Sequence, residues 1–494
     1  MPLFRRVLLS PVVLLLAITH ARASDHTWRD VRSAHFRVIT DAGESRGVEV
    51  VRRCEQMREA FSILMPQARV DDPAPLLILA LHGEQEVDEI TATQRSSRHS
   101  GVFIPGNDAN FILFDATGNP WHTLFHEYAH ELLHNNSSSA TQTWFEEGFA
   151  EYFSTLEPHE KTVELGRVPL GELQFLREKG KLMRLSELAR VNQNSEIYNQ
   201  NGPMQATFYA QSWLLVHYLF DRQLIGRAQT LFSMTGDGMP FEDAVPAALG
   251  KTRQQLEDEL LSYAQGEQFR FFSLPWVAEP EKVEVKSLSE VTALALKLEA
   301  RQRCSYEHVK ETAASFSAEY RRLLEQEPDN PDALRALGVA LMNSGNYRES
   351  LHCLQKAVEL DSHDARNHDA LARLLNRMET STAQLGEITA TAEQQAQAAL
   401  DLDPQYADAL FIAGSAHARS GQLENAIALI RKASALSPRA EAYKLALADA
   451  EMKQRNYAPA VALLHQLSKS HDPEIAREAE SFLSANTPQT AASK

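Results

Sequence analysis

Cysteine is nearly absent from this 494-residue chain: Cys54, Cys304 and Cys353 lie far apart, with no C-x-x-C pair. That excludes a disulfide scaffold and a cysteine zinc knuckle. Glycine and proline, at 21 each, are too few for a collagen-like or linker-dominated protein. Basic charge is scarce as well, with 49 Lys and Arg against 66 Asp and Glu and a formal net charge of -17. Phosphate backbones need basic surfaces, so this balance disfavours a nucleic-acid binder. What remains, 44% hydrophobic and 23% charged residues, is the balance of a globular chain with room for about three domains.

The N-terminal apolar run, Val7 to Thr19, falls short of the roughly 20 residues a spanning helix needs. Arg5-Arg6 precede it and Ala21-Arg22-Ala23 follow, the layout of an export signal over residues 1–23. Cleavage is expected after Ala23, leaving a periplasmic or secreted chain with no stable membrane span. No Cys follows the run to carry a lipid anchor.

From Trp28 to Ala116, strand-like and helix-like patterns alternate. His35–Thr40, Pro75–Leu81, Val102–Ile104 and Phe111–Phe114 read as strands, and Val48–Leu64 has helical spacing. These predict a small mixed sheet with helices packed on it. Trp121 to Phe272 reads as mostly helical, and Leu274 to Lys286 as a linker. In the last third, Pro328, Ser362, Pro404 and Pro438 mark equivalent helix ends, spaced 34, 42 and 34 residues apart. The unit Pro331–Asp364 carries Leu334, Leu337-Gly338, Leu341, Gly345, Tyr347, Leu354 and Ala357, and Ala407–Pro438 repeats it. This resembles the tetratricopeptide pattern and predicts about four helix pairs in a solenoid with a concave face. About eight extra residues are expected near Glu379–Thr389.

The chemistry concentrates at Trp121–His134. Phe125, Tyr128, Ala129, Leu132 and Leu133 form the apolar stripe of an amphipathic helix. His126 and His130, four apart, project together and can chelate one zinc ion, with Glu127 beside them in an H-E-x-x-H motif. His130-Glu131-Leu132-Leu133-His134 satisfies the same motif, but Asn135-Asn136 should end the helix there, which favours the first register. Trp144–Phe153 is a second amphipathic segment, with Glu147 and Glu151 sharing a face. Three protein ligands plus a water is the open geometry of catalytic zinc. Each feature alone has a bland reading, an adventitious metal site for the histidines and a solvated helix face for the glutamates.

HEYAH followed by WFEEGFAEYF resembles the gluzincin metallopeptidases, and most closely the peptidase-MA-like domains of exported bacterial proteins, which often carry tetratricopeptide repeats. The resemblance covers residues 30–270, with its specific motifs at 126–151. It implies a thermolysin-like α+β catalytic domain, His126, His130 and Glu147 as zinc ligands, Glu127 as general base, and Glu151 as the carboxylate orienting a ligand histidine. Glu146 stands where the family has Asn, leaving two adjacent carboxylates; Glu146 should point away from Glu151, which favours Glu147. The family draws an oxyanion donor from a later helix, for which Tyr209 is the first candidate and His217 the second. It also uses a strand at the cleft rim, here among 101–114, that an extended peptide can join.

The expected organisation is therefore a signal peptide at 1–23, a peptidase domain at 24–273, a linker and leading helix at 274–299, an all-α solenoid at 300–485 and a disordered tail at 486–494. Two function classes follow. One is a zinc peptidase acting on peptides or proteins, its repeats recruiting substrate or partner on their concave face. The other is an exported interaction scaffold whose peptidase-like domain is slow or inactive.

Overall fold

A computed structural model describes residues 27–91, 101–137, 141–200, 202–276, 282–305, 309–380, 391–470 and 472–486. The export signal, the tail beyond 486 and most of the insertion expected near 379–389 lie outside them.

The chain opens with β1 (Arg29–Arg32), β2 (Arg37–Thr40), α1 (Glu44–Leu64), β3 (Leu76–Leu81), α2 (Glu84–Thr91), β4 (Gly101–Ile104) and β5 (Asn110–Asp115). The sheet order is β4-β5-β3-β2-β1-β9, where β9 is Glu284–Ser287. Pairing is parallel across β2, β3 and β5 and antiparallel at β4–β5, β1–β2 and β1–β9. Every residue of β3 is buried, because both faces of the sheet are covered. Successive strand residues point to opposite faces. Val38, Ile78 and Ile112 enter a core with α1 and with α3 (Trp121–Asn136). Ile39, Leu77, Leu79 and Leu113 enter a second core with α2 and with α12 (Glu290–Cys304). The result is a mixed sheet between two helical layers. The stretch expected to be a linker, 274–286, instead supplies strand residues at both ends, and β9 completes the sheet against β1. The helix after it, α12, covers one face of that sheet.

After α3 come α4 (Thr143–Ser154), β6 (Glu157–Pro158), β7 (Thr162–Leu165), α5 (Leu170–Lys179), α6 (Leu185–Leu188), α7 (Glu196–Asn199) and α8 (Pro203–Asp221). α9 (Ala228–Gly236), α10 (Phe241–Leu249), α11 (Arg253–Gln265) and β8 (Phe272–Pro275) complete the region. The mostly helical reading missed one thing: β6, β7 and β8 form a small antiparallel sheet. α8 is buried nearly all round and lies against α4. Gly148 permits this, since a Cβ there would fall 2.3 Å from the carbonyl oxygen of Ser212.

The solenoid runs through α13 (Val309–Gln326), α14 (Pro331–Asn343), α15 (Tyr347–Leu360), α16 (Ala365–Thr380), α17 (Ala392–Leu402), α18 (Ala407–Arg419), α19 (Leu423–Leu436), α20 (Glu441–Lys453), α21 (Tyr457–Leu467) and α22 (Pro473–Asn486). Small residues sit where paired helices touch: a Cβ on Gly338 would meet Leu354 at 2.5 Å, and one on Gly414 would meet Ile430 at 2.6 Å. Gly345 and Gly421 turn each pair at φ 83° and 80°, a left-handed conformation that favours glycine.

The solenoid folds back onto the N-terminal region. In the β4–β5 turn, Asp108 is gripped by Arg303 and Arg373, and its carbonyl accepts from the Tyr406 hydroxyl at 2.5 Å. Ala407 N–H donates to the Pro73 carbonyl at 2.8 Å, and Arg69 reaches the carbonyls closing α19.

Replacing Gly148 with Ala should force α4 away from α8 and cost about 1–3 kcal/mol of stability. Urea unfolding of the two proteins would read this, and an unchanged midpoint would show that the close approach is not constraining.

Candidate metal centre

α3 carries His122, His126 and His130 at intervals of four, so all three share one face. α4 packs against that face and presents Glu147 and Glu151, also four apart. The two Nε2 atoms of His126 and His130 lie 3.1 Å apart. Glu147 Oε2 lies 3.5 Å from His126 Nε2 and 3.7 Å from His130 Nε2. Donors about 2.0–2.1 Å from one zinc ion at tetrahedral angles sit about 3.3 Å apart, so this triangle fits such an ion. Among the described residues, this grouping joins two imidazoles and a carboxylate in the buried interior. His130 keeps 20% side-chain exposure, so the triangle is reached from solvent.

The surrounding groups hold these donors in place. Glu151 Oε1 lies 3.6 Å from His126 Nδ1, and its Oε2 lies 3.3 Å from His122 Nε2. His122 in turn meets the Ser154 hydroxyl at 3.1 Å, which gives this residue a place in the network. Glu127 Oε2 accepts the Phe103 N–H of β4 at 2.7 Å, tying the residue after the first histidine to the sheet edge. Tyr198 of α7 donates its hydroxyl to Glu147 Oε1 at 2.8 Å, leaving Oε2 toward the histidines. Tyr198 was not foreseen: it sits in a four-residue helix with no periodicity to mark it. Tyr209 stacks on Tyr198, ring centroids 6.3 Å apart, and burial with the charges of Glu147, Glu151 and Glu127 raises its hydroxyl well above the usual range.

Electrostatics separates donors from bystanders. Burial raises the Glu147 carboxyl, but the charge and hydrogen bonds of His130 and His126 outweigh it and hold the group well below the usual carboxylate range. Burial lowers His130, yet Glu147, Glu127 and Glu146 outweigh it and push the imidazole up to about 9. Three carboxylates around two buried imidazoles demand positive charge, which His130 supplies as a proton and a metal ion would supply in its place.

Other candidates are placed elsewhere. His217, the second choice for oxyanion donor, is a core residue: its ring nitrogens meet the Tyr263 hydroxyl at 2.8 Å and the Gly166 carbonyl at 2.9 Å. Glu131, the acid of the overlapping register, is fully buried and raised by burial and by Asp72. His134 packs against Phe103, and burial together with Arg439 holds it down near 3. Glu146 turns outward to Arg439 of the solenoid at 2.6 Å, so of the two adjacent carboxylates only Glu147 faces the histidines.

Residues 121–238, which include all these donors, match a family described as a protein of unknown function (DUF1570). Residues 317–374 and 384–441 match two tetratricopeptide-repeat families, so the C-terminal region carries such repeats. Similar solved structures include TTC0263, a tetratricopeptide protein of Thermus thermophilus, at 19% identity over 39% of this chain and 97% of that one, TM-score 0.32. PilF of Pseudomonas aeruginosa matches at 19% identity over 41% of this chain and 94% of that one, TM-score 0.31. MamA from Desulfovibrio magneticus matches at 18% over 40% and 98%, TM-score 0.29. No curated protein matches the chain.

Two outcomes are expected of the metal centre. At pH 7.5, with His130 titrating near 9, zinc binding should release about one proton, and affinity should climb with pH until about 9. Calorimetry in buffers of different ionisation enthalpy measures that proton, and buffer-independent heats would contradict it. Tyr198→Phe should weaken zinc affinity about 10- to 100-fold, because Glu147 loses the hydroxyl that fixes its second oxygen. A chelator competition titration would read it.

Proposed function

We propose that this chain is an exported zinc-dependent peptidase. The observation that carries the reading is the buried His126–His130–Glu147 triangle, open on the His130 side, with Glu127 next in sequence to His126. A zinc ion bound there supplies Lewis acidity and acidifies water. Glu127 accepts a proton and passes it to the leaving amine, held meanwhile by the Phe103 N–H. Glu151 orients His126, and Tyr198 orients Glu147. Tyr209, stacked on Tyr198 and near enough to Glu147, Glu151 and Glu127 to feel their charge, is the oxyanion donor on this reading. β4 is the edge of the sheet among the described residues, and it offers a strand beside which an extended peptide can lie. On this reading the export signal expected at residues 1–23 directs the protein to the periplasm or the medium.

A second reading has its own support. The repeats are the part with named relatives, and tetratricopeptide repeats commonly bind protein partners. By comparison alone the interaction scaffold is the better supported, while the metal centre's geometry favours the enzyme. No described helix is long and apolar enough to cross a membrane.

The mature chain should purify with one zinc by elemental mass spectrometry. Glu127→Gln should keep the metal and lose about 10³-fold or more in cleavage of unfolded casein and quenched peptides. Equal cleavage by both proteins would remove Glu127 from the chemistry. Absence of stoichiometric zinc after resupply would leave the scaffold reading.

A further inference from the structure

Beside the metal centre, helices α5 and α8 pack together and border a pocket of about 360 Å³. α5 contributes Gly171 and Phe175, four apart and so on one face. α8 contributes Ala206 and Tyr209, three apart and likewise on one face. The small side chains at 171 and 206 leave the space open, and the rings of Phe175 and Tyr209 supply its apolar wall.

The pocket adjoins the chemistry. Its wall includes Glu151, whose Oε1 lies 3.6 Å from His126 Nδ1. It also includes Tyr209, whose hydroxyl feels the charges of Glu147, Glu151 and Glu127. On the peptidase reading that hydroxyl meets the oxyanion of the bond being cut. A side chain lodged against the Tyr209 ring therefore belongs to a residue flanking that bond. In an extended peptide successive side chains leave on opposite sides, so one can enter the pocket while the backbone stays at the metal centre.

The walls also decide which side chain fits. Two carboxylates, Glu151 and Glu172, line the pocket and disfavour an acidic guest. Lys179 Nζ lies 5.6 Å from the centroid of the Phe175 ring, so a cation already sits on that ring and disfavours a basic guest. An uncharged side chain remains. An aromatic ring suits this lining better than an aliphatic chain: its weakly positive edge tolerates the carboxylates, and it packs edge-to-face or offset on Phe175 and Tyr209.

We propose that the α5–α8 pocket is a specificity subsite that takes an aromatic side chain from the residue next to the cleaved bond, with Gly171 setting its size and Phe175 its preference for a ring. This deepens the peptidase reading and rests on it.

The test uses the full mature chain carrying Glu127→Gln, loaded with zinc, and fluorescein-labelled amidated peptides read by anisotropy. The peptides share one sequence of Ser, Gln and Ala and differ at a single central residue: Phe, Leu, Ala, Glu or Lys. The Phe peptide should bind about tenfold tighter than the Ala peptide, and tighter than the other three. A Cβ on Gly171 meets no atom within 4 Å, so the fold accepts a larger residue there. Adding Gly171→Leu should fill the pocket and remove the Phe preference, with zinc content and Ala-peptide affinity unchanged. Adding Phe175→Leu instead keeps an apolar side chain and removes the ring, so the Phe peptide should lose its advantage over the Leu peptide. Equal affinities across the five peptides, a tighter Leu, Glu or Lys peptide, or no binding of any overturns the subsite. A Phe preference that survives both substitutions overturns it as well. Cleavage of the same peptides by the unsubstituted chain is measured alongside, with the cut expected at a bond flanking Phe. Cleavage without a Phe preference in binding overturns the subsite and leaves the peptidase. A Phe preference sensitive to Gly171→Leu, without cleavage, supports the pocket's chemistry and overturns the peptidase.

Discussion

Glu147 and Glu151 are carboxylates buried between two helices, and most of the N-terminal region can be traced to what that burial requires. An uncompensated charge in the interior is prohibitively costly, so the facing helix has to bring cationic or cation-binding groups to it. α3 does so with three histidines on one face, and the 3.6-residue period makes the spacing of donors on the two helices agree. The helices must then be held in register within a fraction of an ångström. Gly148 allows α4 to seat directly on α8, and Trp144, Phe149 and Phe153 fill the core beside it. The sheet carries α3 on one face, and β4 fixes Glu127 through a backbone N–H.

The solenoid is not a separate module on a tether. α12 belongs at once to the sheet's second core and to the approach to the repeats, through Arg303 on Asp108 and Glu299 on Arg335. Asp108 sits in the turn that ends β4, and two arginines hold its carboxyl anionic against the burial that would raise it. Residues of the solenoid, Arg373 and Tyr406, thus contact the chain's own β4–β5 turn.

Much of this was legible in the sequence for specific reasons. The strands at 76–81 and 110–115 announced themselves as short apolar runs, and the 34-residue spacing announced the repeats, because each unit must bury the same face against its neighbour. His126 and His130 stood out because helical periodicity puts them on one face, as it does Glu147 and Glu151; the family resemblance joined the two pairs. β1 and β9 did not stand out. Arg29–Arg32 and Glu284–Ser287 are short, polar strands near the sheet edge, ordered by pairing rather than by their own pattern. His217 misled for a related reason. An imidazole in an aromatic helix reads alike whether it faces a cleft or a core, and only its partners, Tyr263 and Gly166, decide.

By itself, then, the sequence determined which residues share a helix face and where the repeat units begin and end, since these follow from local periods of 3.6 and 34; that Glu147 joins His126 and His130 was only what the family resemblance implies. The tertiary structure alone decided that Tyr198 holds Glu147, that Glu146 turns to Arg439, and that Arg303 and Arg373 both grip Asp108 in the β4–β5 turn. Those contacts join residues separated by 51 and by 293 positions, and no local period can encode a meeting at that range. They exist because two apolar cores and one interface fix how the layers stack.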